Sequence, residues 1–184
     1  MKVDFIFDVA SPNAYLAHRI IPDFEKRTGT TFNYIPCLLG GIHKLTNNQP
    51  PFVAFAEIKN KSDYQIIELE RFVKQHKLDK YKFNSHFPPS TIQIQRGAIA
   101  AKELGVFEQY IECVLVAMWE NDKNLSDIEV LKETLNENDF DVNAIIEIVA
   151  DHNHKIEQSF AAAVRARQVD EAALDVMSDA AKED

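Results

Sequence analysis

An α/β fold, opened by a parallel βαβ unit and enlarged by a long helical block, is what this chain of 184 residues predicts. Two apolar, β-branched stretches flank a run with helical period near the N-terminus, and strand signals fade beyond the second stretch. Val3 to Asp8 alternates loosely around Phe5 and Phe7 with β-branched Val3 and Ile6, which predicts a first strand ending at Asp8. Ser11-Pro12 then has the form of a helix start, because Ser accepts from free amide groups and Pro is tolerated at the first helical position. Tyr15, Leu16, Ile20 and Phe24 recur at helical spacing, and Gly29, free to take left-handed backbone, marks the stop. Thr31 to Pro36, with Phe32, Tyr34 and Ile35, predicts the second strand. Two strands joined through a helix are parallel and right-handed in almost all cases.

Gly40, Gly41, Asn47, Asn48, Pro50 and Pro51 predict a loop, since each of these residues favours turn backbone. From about Tyr64 the period is helical, with candidate helices over Ile66 to Gln75, Ser90 to Leu104, Val106 to Glu120, Ser126 to Asn136 and Val142 to Ala166. Asp170 to Asp184 is Ala-rich and acidic. With no linker and no repeat, the expectation is one domain over 1–184: a βαβ unit over 1–40, a helical insertion over 60–160 and an acidic Ala-rich tail over 168–184.

The charge balance, 20 Lys and Arg against 29 Asp and Glu, gives a net charge of −9. It argues against nucleic acid as a partner, because a phosphate-binding surface collects Lys and Arg on one face. Cys37 and Cys113 have no second thiol nearby, so neither a disulfide framework nor a Cys-x-x-Cys redox pair is read. Asp4 and Asp8 interrupt the first apolar stretch, which excludes a signal peptide, and no run approaches the roughly 18 apolar residues of a membrane span. A cytoplasmic protein without membrane contact is expected.

The strand-to-helix corner Ser11-Pro12-Asn13-Ala14-Tyr15 is the sharpest chemical feature. A helix start presents unpaired amide donors and partial positive charge, which favour an anion. Were that anion a thiolate, the amides and the Ser11 hydroxyl would lower its pKa from the free value of about 8.5. Ser11 can equally act as a helix cap alone. Ser90 or Thr91, after His86-Phe87-Pro88-Pro89, is expected to cap a helix on which Ile92, Gln95 and Arg96 share one side, either as a pocket wall or as a capped helix alone. Trp119, Met118 and Leu115 at helical spacing predict core. In Asp151-His152-Asn153-His154 the two His lie about 200° apart on a helix, so no metal site is expected.

FIFDVASPNAYLAHRIIP, then LLGGIHKLTNNQPP and NSHFPPSTIQIQRG, resemble in order the 2-hydroxychromene-2-carboxylate isomerases and kappa-class glutathione transferases, from the first strand to about residue 165. The resemblance implies a DsbA-like, thioredoxin-type fold with a helical insertion. Redox-active relatives carry Cys-x-x-Cys at this corner, where Ser11 and Ala14 stand here. It further implies glutathione as cofactor, Ser11 as the catalytic group that holds its thiolate, Pro12 and Asn13 lining the same helix start, Asn48 as a glutathione hydrogen-bonding residue and Lys44 as an attractor of a carboxylate.

One part of the pattern is missing. Relatives continue after the helical block into a cis-proline motif with a closing ββα part, whereas no proline follows Pro89 here, so that part is expected to be missing or altered. A dimer partner, exchanged segments or the tail would then have to cover the sheet, or the chain is a truncated product that folds in part; a homodimer is expected. The functional expectation is a glutathione-dependent isomerase or transferase acting on a small aromatic or conjugated electrophile. The alternative is a thioredoxin-like binding module that has lost half of its active site.

Overall fold

A computed structural model of the chain describes residues 1–152. Its contacts separate a compact unit over Met1–Val142 from a second that starts at Asn143. In the first unit β1 (Lys2–Phe7), α1 (Pro12–Thr28) and β2 (Thr31–Pro36) form the expected βαβ unit. The strands pair in parallel, in register from Lys2 opposite Thr31 to Phe7 opposite Pro36. β1 ends one residue before the predicted Asp8, whose side chain turns to the backbone that follows it. Both ends of α1 follow local rules. Ser11 is its N-cap and Pro12 its first residue, while Gly29, at φ 67°, closes it by donating to Glu25 O.

The loop expected from Gly40 to Pro51 is partly helical: α2 covers Leu39–Leu45 and α3 covers Pro51–Ala54. Two glycines disfavour helix by about 1 kcal/mol each. The preference is overridden because the Leu39 N–H donates to Asp8 Oδ2 at 2.8 Å, anchoring the first turn of α2 to the end of β1. Only Thr46 to Pro50 stay non-helical between these two short helices.

Four longer helices follow: α4 (Lys61–His76), α5 (Ile92–Glu103), α6 (Phe107–Trp119) and α7 (Ile128–Glu137). Three lie within two residues of their predicted limits. α4 starts five residues before its prediction, because its first turn is polar and carries no apolar period. Helical backbone also runs over 142–152; the rest of the predicted Val142 to Ala166 helix, the tail and His154 lie outside the described residues.

α6 is the centre of the core, with Tyr110, Ile111, Val114, Leu115, Met118 and Trp119 all buried, as the Leu115, Met118 and Trp119 spacing predicted. It packs on α5, α7 and α1. The approach of α5 depends on Gly97, since a Cβ there would lie 2.2 Å from the Tyr110 hydroxyl. That hydroxyl donates to Ile94 O at 3.0 Å. Asn84 ties the segment before α5 to the end of α6 by donating to Met118 O and Lys123 O. The only cis peptide among the described residues, Phe87–Pro88, follows it.

Candidate functional site at the strand-to-helix corner

Asp8 builds the corner. It is 3% exposed, yet every contact of its carboxylate is with a donor. Oδ1 accepts from Ala10 N at 3.0 Å and from Gln95 Nε2 at 3.2 Å, and Oδ2 accepts from Leu39 N at 2.8 Å. β1, α5 and α2 thus converge on one side chain, and the Ser11 N–H donates to Asp8 O at 2.9 Å. Trp119 closes the floor by donating from Nε1 to Val9 O at 2.8 Å.

On this frame sits the Ser11 hydroxyl, half-buried, accepting from Ala14 N at 3.4 Å. Ala14 N also bonds Ser11 O at 3.0 Å, so its bond to the hydroxyl is a loose second one. Pro12 has no N–H, and the Asn13 N–H finds no acceptor among the described residues. No acidic residue lies in the first turn of α1. The helix start therefore offers one hydroxyl, one free amide and the positive end of a 17-residue helix. Lys44, in the last turn of α2, and Asn48, in the loop after it, are both exposed. Among the described residues no hydrogen bond or ion pair joins either of them to Ser11, Pro12 or Asn13; Asn48 Oδ1 accepts from Gln49 N at 2.8 Å, and its amide group remains available to donate.

A ladder of aromatic rings links these two parts. Tyr15, in the first turn of α1, stacks on Tyr81 at 5.6 Å between centroids, and Tyr81 on Trp119 at 6.1 Å. Trp119 in turn meets Phe83 at 6.0 Å and Phe87 at 6.5 Å. Phe52, in α3 just beyond Asn48, meets Phe87 at 5.5 Å. Tyr15 and Trp119 are buried and Tyr81 and Phe87 half-buried, whereas Phe83 is 56% and Phe52 46% exposed.

The outer face of α1 is held to α6 by charge. Arg19 pairs with both Glu112 and Glu120, and the Tyr15 hydroxyl donates to Glu120 Oε1 at 3.0 Å. His18 sits between Tyr34 Oη at 2.8 Å and Glu112 Oε2 at 2.9 Å. The His18 hydrogen bond, outweighing the effect of burial, and then Arg19 hold the Glu112 carboxyl down at about 2.

Neither cysteine suits a nucleophile. Burial, then the nearby Asp8 charge, pushes the half-buried Cys37 thiol up. Burial takes the Cys113 thiol to about 11. A separate cavity of about 350 Å³ between α6 and α7, lined by Cys113, Lys123, Thr134 and Glu137 among others, includes none of the corner residues.

The predicted cap of α5 is not made. Thr91 takes the N-cap position but is buried and forms no capping bond, and Gln95 is buried while Ile92 is exposed, so Ile92, Gln95 and Arg96 do not share one environment. Asp8 is the site-building residue that sequence reasoning missed, and with it the bond that Gln95, expected only as a possible pocket wall, donates to it. A charged residue at the end of an apolar strand was the signal for Asp8, since such a residue is buried only when it is paired.

A profile of DsbA-like thioredoxin domains matches residues 2–169. Over 74 residues the chain is 35% identical to glutathione S-transferase kappa 1 of Caenorhabditis elegans; the match takes in 40% of this chain and spans 31% of that relative's length. A solved 2-hydroxychromene-2-carboxylate isomerase shares the fold with a TM-score of 0.66 over 88% of this chain and 79% of the isomerase, at 22% identity. None of the described helices is long and apolar enough to cross a membrane. With a strand-helix-strand corner in the expected geometry and a profile match over most of its length, the chain belongs to the family of DsbA-like thioredoxin domains.

Proposed function

We propose that this chain is a glutathione-dependent isomerase or transferase for small aromatic or conjugated electrophiles, with glutathione held at the start of α1. The observation that carries the reading is the half-buried Ser11 hydroxyl beside the Asn13 N–H, which has no acceptor among the described residues, at a helix start free of acidic residues. Two donors and a helix dipole at one point fit an anionic sulfur. Bound there, glutathione supplies a nucleophilic sulfur that adds to a conjugated carbon and, in an isomerisation, leaves again unchanged. Ser11 accepts from Ala14 N and donates its own proton toward the sulfur, favouring the charged form before addition and after expulsion. Pro12 shapes the corner and removes a competing N–H. Asn48, with its amide group directed by the Gln49 contact, donates to the peptide backbone of glutathione, and Lys44 attracts one of its carboxylates. The 35% identity to a kappa-class transferase supports glutathione as the thiol.

Calorimetric titration of the full chain with glutathione tests the reading. Binding in the micromolar to low millimolar range, lost in Ser11→Ala and weakened in Asn48→Ala, is expected. No heat across that range in the wild-type chain overturns it and leaves a binding module of thioredoxin type. A homodimer belongs to the same proposal. The exposed apolar side chains Tyr64, Ile66 and Ile67 of α4 support it, and sedimentation equilibrium tests it.

A further inference from the structure

The buried face of α5 is made of Ile94, Gly97, Ala98, Ala100 and Ala101, with one polar side chain among them, Gln95. Gln95 is 6% exposed, and its Nε2 donates to Asp8 Oδ1 at 3.2 Å. The other end of its amide is left unsatisfied: Oε1 is buried and meets no donor among the described residues. Turning the amide over cures nothing, because a carboxylate only accepts and Oε1 would then face Oδ1. A leucine or methionine would fill the same space without burying an unpaired oxygen. Proteins break such local rules at sites where function repays the loss. We infer that Gln95 is a positioning residue, which holds the Asp8 carboxylate off the start of α1 so that the Ser11 hydroxyl and the Asn13 N–H stay open to an anionic sulfur.

The place of Asp8 in the chain makes a restraint necessary. It lies three residues before Ser11, whose N–H donates to Asp8 O at 2.9 Å. Aspartate accepts from the free amides of a helix start as well as serine does. A carboxylate released here would swing onto α1, occupy the donors that an anion needs and set its own charge against a thiolate. Ala10 N and Leu39 N also hold it, but these are backbone groups, present whatever the side chains. Gln95 is the only side chain among the described residues that donates to Asp8, and without it Oδ1 keeps Ala10 N alone, a partner two residues away that moves with the corner. A sulfur in this part of the molecule does feel the charge: after burial, Asp8 is what pushes the Cys37 thiol up. The inference rests on the glutathione reading for the identity of the anion; the restraint on Asp8 is a property of the chain itself.

A thiol placed at the corner reads the effect without glutathione. In the full chain carrying Ser11→Cys, the pH dependence of iodoacetamide labelling gives the pKa of the thiol at position 11, with labelled peptides separated by mass spectrometry so that Cys37 and Cys113 are read apart. Adding Gln95→Met, which keeps the bulk and removes the donor, is expected to raise that pKa by about 0.5, a roughly three-fold loss of thiolate at pH values below it. Ile94→Val loosens the same buried face and removes no hydrogen bond, so it is expected to leave the pKa where it was. With Asp8→Asn in place the charge is gone, and Gln95→Met is expected to have no effect. An unmoved pKa in Gln95→Met, or an equal rise in Ile94→Val, overturns the proposal without recourse to the Asp8 variant; an equal rise in the Asp8→Asn background overturns it as well, because Gln95 would then not act through Asp8. Glutathione titration of the wild-type chain keeps the two proposals apart. A rise in Gln95→Met with no glutathione bound by the wild type sinks the functional reading alone, and glutathione binding with the pKa unmoved sinks this one alone.

Discussion

Replacing Asp8 by Asn changes one atom of the side chain and tests whether the corner is assembled as the structure implies. The carboxylate accepts three hydrogen bonds, two from backbone N–H groups and one from Gln95 Nε2, and is almost completely withdrawn from water. Asparagine keeps one acceptor oxygen and turns the other position into a donor, so Asp8→Asn sets N–H against N–H wherever it is placed. Hydrogen bonds to a charged acceptor are worth about 1.5–3 kcal/mol, and a buried donor left without a partner costs about 1–3 kcal/mol. One bond is lost outright and the others fall to neutral strength, so the expected loss of stability is about 3 kcal/mol. For a unit of this size that is a fall of roughly 10 °C in the melting temperature. Urea denaturation at fixed m-value measures it, and glutathione affinity should fall together with stability because Ala10 N, next to Ser11, and the first turn of α2 both hang on the Asp8 carboxylate. A loss below about 0.5 kcal/mol, the scale of an ordinary surface substitution, would refute the idea that this carboxylate organises the corner.

Acid should loosen the contact between α1 and α6. Glu112 titrates at about 2 in the folded chain against an ordinary 4.5. Its contribution is therefore full above 4.5 and disappears as pH falls toward 2. The ceiling is ~3 kcal/mol, and solvent screening of a half-exposed carboxylate leaves about 1 kcal/mol. Denaturant midpoints from pH 6 to 3 should fall less steeply for Glu112→Gln than for the wild type, and parallel curves would contradict the assignment. Gly97→Ala should destabilise by about 3 kcal/mol, because Tyr110 is buried and cannot retreat; adding Tyr110→Phe, which removes the nearest atom, should restore at least part of the loss in thermal melts, and no recovery would place the strain elsewhere. Iodoacetamide at neutral pH should label Cys37 and Cys113 more slowly than a free thiol, since both thiols titrate above the ordinary value; labelling of Cys37 faster than free glutathione would reopen a thiol-based chemistry.

Where structure follows local rules, the chain could be read directly. Ser11, Pro12 and Gly29 bound α1 because capping depends on the chemistry of one residue and its immediate neighbours, and Thr31–Pro36 is a strand by its own composition. Gly40 and Gly41 misled for the complementary reason. Their preference for turns is local, but the bond that overrides it joins Leu39 to Asp8, 31 residues earlier. The site divides in the same way. Ser11, Pro12 and Asn13 are consecutive and were legible together. Gln95 reaches Asp8 across 87 residues, and the aromatic ladder draws rings from six separate positions between Tyr15 and Trp119. Helical spacing showed that Trp119 would be buried; it could not show that its indole N–H would meet Val9 O at the floor of the corner. Glu112 lies within the mostly apolar last part of α6 and Glu120 caps its end, a pattern that signals a partner without saying which.

The corner must favour a negative sulfur although it already contains a carboxylate. Asp8 works against any thiolate nearby, as its effect on Cys37 shows. Its charge is spread over three donors inside the protein, however, and none of them belongs to α1, so little of the positive end of α1 is used to neutralise it. What α1 keeps in reserve is the Asn13 N–H and the proton of the Ser11 hydroxyl. The bond that Ser11 accepts from Ala14 N is long, at 3.4 Å, and Ala14 N has a better acceptor in the Ser11 carbonyl at 3.0 Å. Capping therefore accounts for only the low end of the roughly 0.5–2 kcal/mol that such residues contribute to a helix. A structural role and a binding role for Ser11 are separable for that reason. Whatever Ser11→Ala removes from glutathione binding beyond that small stability term comes from the hydroxyl facing the ligand and not from the helix it caps.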